Sequence, residues 1–265
     1  MGSATREALV TSKDALAALG AGADLATADG LFAAGRAIGS STHLSAALSD
    51  PAAEAQAKTA VVDRIFSTQV NAHALGLLKT VASSRWSNET DLLAGIEEIG
   101  LRAASISAGA QGDIEAELFE FGNVVSSNNE LELALTSKLG STEAKADLVA
   151  KLLSGKASAQ TVSIVGQLVQ QPRGRRIGEL LRYAAAIVAD QQGLAVATVT
   201  TATPIAPAQL ERLERHLAAS TGRQVKINQV IDPAVVGGIR VQVGDNVIDG
   251  SLAARINDLR LKLAS

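Results

Sequence analysis

Two stretches of this chain align with each other without a gap when the sequence is shifted by 87 positions. Twelve of the 62 positions from 32 to 93 are identical in both stretches, including Phe32 with Phe119 and Lys58 with Lys145. The apolar residues match as well, and in both copies their spacing is that of one face of an α-helix. The match predicts two copies of one helical unit. Two unrelated amphipathic runs that share a period are the alternative.

The pattern changes near Gln192. The stretch Leu194–Thr203 alternates and is rich in β-branched residues, which is typical of a strand. We therefore expect an α+β protein with a mainly α-helical N-terminal bundle region at 1–192 and a small α+β C-terminal module at 193–265. The repeat copies are expected at about 32–118 and 119–192. The first helix, Thr5–Leu19, lies outside the duplication and stops at a Gly-Ala-Gly segment.

Composition argues against several classes of function. Alanine is abundant, only 2% of residues are aromatic, and the net charge is −3, so no basic surface for nucleic acid is expected. The chain has no cysteine, which excludes thiolate metal sites and disulfides. No run of 18 apolar residues occurs, and the N-terminus lacks a signal-peptide pattern, so we expect a soluble intracellular protein.

Reactive motifs are missing too. Ser154-Gly155-Lys156 lacks the upstream glycine and the hydroxyl residue of a phosphate-binding loop. The three histidines do not have metal-ligand spacing, and Asp245 with Asp249 lacks the calcium-loop pattern. We expect no catalytic residue, no cofactor and no metal.

The C-terminal sequence is rich in turns and short strands. Apolar residues alternate through Ile239, Val241 and Val243, a Gly-Asp-Asn turn follows, and Val247-Ile248 begins a return strand. Ser251 then caps a last helix, expected at 251–264. The residues that stand out in this segment are Asp232, Pro233, Gly237, Gly238, Gly244, Asp245, Asp249 and Gly250.

These motifs resemble the C-terminal signature of the delta subunit of F-type ATP synthases, the family of the oligomycin-sensitivity-conferring protein. The second helix set makes the chain similar to the long actinobacterial forms. The resemblance implies a non-catalytic stator subunit that links the catalytic head to the peripheral stalk and resists rotor torque during proton-driven ATP synthesis. It also implies a peripheral position on the cytoplasmic face of the bacterial cell membrane. A helical scaffold with other partners is the alternative.

The resemblance also implies two sets of partners. N-terminal helices of alpha subunits bind a surface formed by the first and fifth helices of the family's bundle, and b-type stalk subunits bind the C-terminal module. Here the fifth helix is either 70–82 or 157–169, and we favour the second copy, with the first helix folding back to reach it. The candidate partner-binding residues are Leu9, Leu16, Val162, Val165 and Val169.

Two features stay open. Arg173, Arg175 and Arg176 form the densest basic cluster, either as a solvated turn before a helix or as a contact for an acidic partner helix. Trp86 is the only tryptophan, and it serves either as an anchor between helices or as a partner contact.

Overall fold

A computed structural model describes residues 2–109, 112–137, 140–235, 237–243 and 246–250. The chain divides into two compact units, Met1–Val188 and Ala189–Ser265. Independent folding of domains 1–192 and 193–265 stays a prediction.

The helices are α1 (Ser3–Leu19), α2 (Leu25–Ser40), α3 (Thr42–Ser49), α4 (Ala55–Phe66), α5 (Ala72–Ser83), α6 (Glu89–Ala108), α7 (Ile114–Ser127), α8 (Asn129–Thr136), α9 (Thr142–Leu153), α10 (Ala159–Gln170), α11 (Ile177–Gln191) and α12 (Pro207–Thr221).

The helix bounds repeat at the interval seen in the sequence. Helices α8, α9 and α10 begin and end 87 residues after α3, α4 and α5. Their N-caps repeat too: Ser41 and Asn128 cap α3 and α8, and Asn71 and Ser158 cap α5 and α10. Each cap side chain accepts a hydrogen bond from a backbone N–H of the first turn, a group that the helix itself leaves unpaired.

One continuous hydrophobic core joins the two helix sets, with α6 at its centre. Small residues on α6 allow its neighbours to approach closely. Phe32 of α2 lies where a Cβ on Gly100 would stand, and the Trp86 ring lies over Gly95. Trp86 is buried and its Nε1 donates to the carbonyl of Val81 at 2.8 Å, so it anchors the loop between α5 and α6.

Helix α1 packs against α5 and α6 of the first set. It runs antiparallel to α5, because its first turns line a cleft with Ser84 and its end lies beside His73. At its start, the Thr5 hydroxyl donates to the Asp91 carboxylate at 2.6 Å. At its end, Nδ1 of His73 lies 2.8 Å from the carbonyl of Gly22. The expectation that the first helix folds back onto the second copy is therefore wrong. Its apolar stripe finds a partner in the set that follows it directly.

The C-terminal unit contains a four-stranded mixed sheet of order β2-β1-β3-β4. Its strands are β1 (Leu194–Thr201), β2 (Gln224–Ile231), β3 (Ile239–Val243) and β4 (Asn246–Asp249). β1 pairs parallel with β2 through the crossover helix α12, and the other pairs are antiparallel. Val241 is buried in a small core with Val199 and Leu217, as the alternation in the sequence predicts. The expected last helix at 251–264 lies outside the described residues.

Candidate partner-binding surfaces

A cleft between the start of α1 and the end of α5 is lined by Ala4, Glu7 and Thr11 of α1 and by Ser84 just after α5. The stripe of α5 that ends at Ser84 continues through Thr80 and Gly76, and we call the cleft together with this stripe the α1–α5 groove. The α1 residues follow one another by three and four positions and those of the α5 side by four, so each set forms one stripe. Gly76 is exposed, and a Cβ at this position would meet nothing within 4 Å. The groove is therefore open along its middle.

Small side chains and satisfied hydroxyls shape the groove. The Thr80 hydroxyl donates to the carbonyl of Gly76 at 3.2 Å, and the Ser84 hydroxyl donates to the carbonyl of Thr80 at 2.9 Å. Both hydroxyl groups thus bond to their own helix, which lowers the cost of covering them with apolar atoms. The cleft has a volume of about 430 Å³, and the charged side chains of Glu7 and Arg85 are among the residues that line it.

The candidate partner-binding residues of the sequence analysis lie elsewhere. Leu9, Leu16, Val165 and Val169 are buried in the hydrophobic core, and Val162 is partly buried against it. As folded, these side chains support the helices from the inside and present little surface to a partner. The groove residues are small or polar, so a search for apolar stripes in the sequence misses them. Exposed Gly and Thr residues on the helix opposite α1 are the signal that could have identified them.

Two residues of the arginine cluster, Arg173 and Arg175, form an internal ion-pair site rather than a solvated turn, while Arg176 is exposed. Glu97 on α6 is 2% exposed, and its Oε1 accepts from Arg173 at 2.6 Å and from Arg175 at 2.8 Å. Burial lowers the pKa of Arg173, and the charge of Glu97 opposes that shift. Arg173 also has φ 49°, a left-handed conformation that costs a non-glycine residue energy. The pairs hold the α10–α11 turn on α6.

Tyr183 on α11 lies beside this site. Its ring is 5.2 Å from the guanidinium carbon of Arg175, a cation–π contact. Burial, followed by the charges of Glu98 and Glu97, raises the pKa of Tyr183 to about 12. Because Glu97 pairs with both arginines and Arg175 also contacts Tyr183, the cluster links α6 to the α10–α11 turn and to α11.

In the C-terminal unit the signature residues shape turns. The Asp232 side chain accepts from the Ala234 N–H at 2.9 Å. This bond closes a turn through Pro233 directly after β2 ends. Gly237 and Gly238 have φ of 67° and 81°, which glycine adopts without strain. The Gly250 N–H donates to the carbonyl of Ile239 at 2.9 Å. Asp249 pairs with Arg240 in the β3–β4 ladder, while Gly244 and Asp245 lie outside the described residues.

Among the described residues, no three His, Cys, Asp or Glu side chains gather in a way that could hold a metal ion. A search of the same residues finds no helix that is both long and apolar enough to cross a membrane.

Comparison with known proteins decides the family. A family model described as "ATP synthase delta (OSCP) subunit" matches residues 101–263. Two proteins named "ATP synthase subunit delta" match over nearly their whole length. The one from Leifsonia xyli subsp. xyli is 54% identical and covers 100% of both chains. The one from Streptomyces avermitilis is 40% identical, over 99% of this chain and 98% of the relative. The chain belongs to the ATP synthase delta (OSCP) subunit family.

Members of this family are peripheral-stalk subunits of F-type ATP synthases, so the resemblance stated from the C-terminal motifs is confirmed. The matches to these two relatives extend beyond the region of the family model and cover both helix sets of this chain. A chain in the structure "Cryo-EM structure of Toxoplasma gondii mitochondrial ATP synthase hexamer, composite model" is also similar. The match covers 64% of this chain and 97% of that one, with 19% identity and a TM-score of 0.41, too low to carry an argument.

Proposed function

We propose that this chain is a non-catalytic adaptor that ties the catalytic head of an F-type ATP synthase to its peripheral stalk. In this proposal the α1–α5 groove holds an amphipathic helix from the N-terminus of an alpha subunit. The C-terminal unit holds the C-terminal ends of b-type stalk subunits. The protein works at the cytoplasmic face of the bacterial membrane as a peripheral part of the complex.

The observation that carries this proposal is the geometry of the α1–α5 groove in a chain of this family. A helix docks best where side chains are small, because its backbone can then approach to about 8–10 Å between axes. Ala4, Thr11 and Gly76 provide such positions, and the hydroxyls beside them are already bonded within α5. An apolar helix face with anchors spaced by three and four residues fits a groove of this kind.

The mechanical role requires stiffness between the interfaces rather than reactive groups. Torque on the head loads the adaptor each time the rotor turns, so a soft adaptor would let the head move with the rotor. The helical unit meets this demand with a single core that joins both helix sets through α6. The buried pairs of Glu97 add a fixed link between α6 and the α10–α11 turn.

Reconstitution tests the proposal. Membranes carrying the synthase would be stripped of the head and of this subunit, then supplied with purified head and purified chain. We expect the wild-type chain to restore head attachment and ATP synthesis, and the chain alone to hydrolyse no ATP. Gly76→Arg should restore attachment poorly, because a long charged side chain fills the groove at an open position.

The matched control is Leu133→Arg on α8, an exposed residue outside the groove. It should restore attachment as well as the wild type does. Equal attachment with Gly76→Arg and wild type, or full attachment with no chain added, would contradict the proposed role of the groove.

A further inference from the structure

The turn between α10 and α11 combines a strained backbone with a buried ion-pair site. We propose that this turn is a conformational latch: Glu97 holds it closed on α6, and local opening, with the helices still folded, releases its arginines to solvent. We call it the Glu97 latch and define it by Glu97 together with residues 172–176. The latch is independent of the partners named in the proposed function.

The backbone of the turn is strained at its centre. Among the described residues, Arg173 is the one non-glycine residue with a positive φ, and Gly174 follows it with φ 76°. Residues with a side chain avoid this region because Cβ crowds the backbone. Arg173 therefore keeps its conformation only while other contacts hold it, and opening of the turn relieves the strain.

The side chains that hold the turn are only partly satisfied. Oε1 of Glu97 accepts from both Arg173 and Arg175. Oε2 of the same carboxylate, and Nε and Nη1 of Arg173, are buried and have no hydrogen-bond partner among the described residues. A buried polar atom without a partner costs free energy that contact with water restores. Hydration of these three atoms on opening offsets part of the cost of breaking the ion pairs.

Opening the turn gives up little apolar burial. None of residues 172–176 belongs to the hydrophobic core, which resumes at Ile177. The backbone hydrogen bond within the turn is local, from the Arg175 N–H to the carbonyl three residues earlier at 3.0 Å. Gln171 keeps the end of α10 in place, because its Nε2 donates to the carbonyl of Gly35 at 3.0 Å. A segment with so few buried apolar contacts opens at a lower free energy than the helices around it.

The corresponding turn of the first helix set has a different anchor. When the sequence is shifted by 87 positions, Trp86 matches Arg173. Trp86 is buried, its ring lies over Gly95, and its Nε1 donates to the carbonyl of Val81. Releasing it would expose a large apolar ring to water, which costs free energy with little return. A guanidinium regains hydration when it is released, so only the turn of the second set is anchored by a group that solvent can stabilise.

Release of the turn changes the charge that this surface presents. In the closed turn the side chains of Arg173 and Arg175 are largely withdrawn from solvent, and Arg176 is exposed. In the open turn all three arginines, which lie within four positions, face solvent. The closed latch therefore hides positive charge that would attract acidic groups.

Limited proteolysis of the full chain with trypsin measures the opening, because trypsin cuts after arginine and needs a locally unfolded segment. When opening and closing are fast relative to cleavage, the cleavage rate follows the population of the open turn. Gly174→Ala places a Cβ at φ 76° with no atom within 4 Å, so it strains the closed turn without a clash. We expect the cuts after Arg173, Arg175 and Arg176, identified by mass spectrometry, to become about fivefold faster, equivalent to about 1 kcal/mol.

Gly155→Ala is the matched control. Gly155 lies in the turn after α9, has φ 69°, and a Cβ there would also meet nothing within 4 Å. The substitution strains the helical unit in the same way but at a distance from the latch, so the cuts at residues 173–176 should keep their wild-type rate. Equal acceleration of these cuts by both variants would mean that cleavage requires unfolding of the whole helical unit, and this result overturns the latch.

Hydrogen exchange of the wild-type chain keeps the test decisive if a variant does not fold. The N–H groups of Arg175, Glu179 and Leu180 donate to carbonyls of the turn, at Pro172 and Arg176. They should exchange through local opening, at least tenfold faster than the core amides of α6 and with a rate that low concentrations of urea barely change. The same rate and the same urea dependence for both groups of amides would overturn the latch. Head attachment, which tests the proposed function, is unaffected by either result.

Discussion

Replacing Glu97 by alanine should strongly destabilise the helical unit. Glu97 is 2% exposed and pairs with two arginines, and the Arg173 side chain is itself only 15% exposed. Removing one partner of a buried pair typically costs about 3–5 kcal/mol, because the remaining charge stays away from water without compensation. Arg175 is 29% exposed and can turn to solvent, so we place the cost at the lower end, about 3 kcal/mol.

Urea denaturation followed by far-ultraviolet circular dichroism measures this cost. With an m-value of about 3 kcal/mol/M for a unit of this size, a loss of about 3 kcal/mol moves the unfolding midpoint down by about 1 M. Glu97→Gln should fall between the wild type and the alanine variant, since the amide oxygen still accepts a hydrogen bond but carries no charge.

Asp63→Ala provides the control, because Asp63 forms an ion pair with Lys79 in which both side chains are more than one-third exposed. Exposed pairs contribute about 0–1 kcal/mol, so the midpoint should hardly move. The argument about burial is refuted if Glu97→Ala unfolds at the wild-type midpoint, or if Asp63→Ala costs as much as Glu97→Ala does.

Two further predictions concern other parts of the chain. Val241→Asp should unfold the C-terminal unit and leave the helical unit folded, since an unpaired carboxylate in its small core costs several kcal/mol; loss of both units in a single melting transition would argue for one cooperative domain. Tyr183 is the only tyrosine, so the tyrosinate absorbance reports its pKa directly, which should be about 12 in the folded protein. Because the folded pKa lies above the unfolded value of about 10, the contribution of Tyr183 to the free energy of unfolding is present below pH 10 and is lost as the pH rises toward 12. Tyr183→Phe should reduce this loss of stability at high pH. A measured pKa near 10 would contradict the burial of the ring.

The secondary structure was largely accessible from the sequence because local patterns determine it. The strand from Ile239 to Val243 follows from alternation, and α12 begins at Pro207, a residue favoured in the first turn of a helix. The repeat indicated the order of the helices in both sets. These features depend on neighbours within a few residues, which one sequence displays directly.

The contacts between distant segments were not accessible in the same way. Glu97 and Arg173 are 76 positions apart, and the sequence contains several other carboxylates that could have neutralised the arginine cluster. The helix against which α1 packs was not accessible either, because by periodicity alone its stripe of Leu9 and Leu16 would fit either α5 or α10. The choice depends on the length of the connection to α2 and on the helices that already contact α10, which include α2 and α6, and a helical pattern contains neither.

The position of the candidate site follows from the same physical limit. A stripe of leucine and valine on a helix identifies the face whose exposure to water costs the most free energy. Folding buries that face, so Val165 and Val169 are core residues. A surface that must stay soluble until a partner arrives is built from small and weakly polar residues instead, as at Gly76 and Thr80. Such positions look like ordinary solvent-exposed helix in the sequence. They become a candidate binding groove only when the neighbouring helix is known.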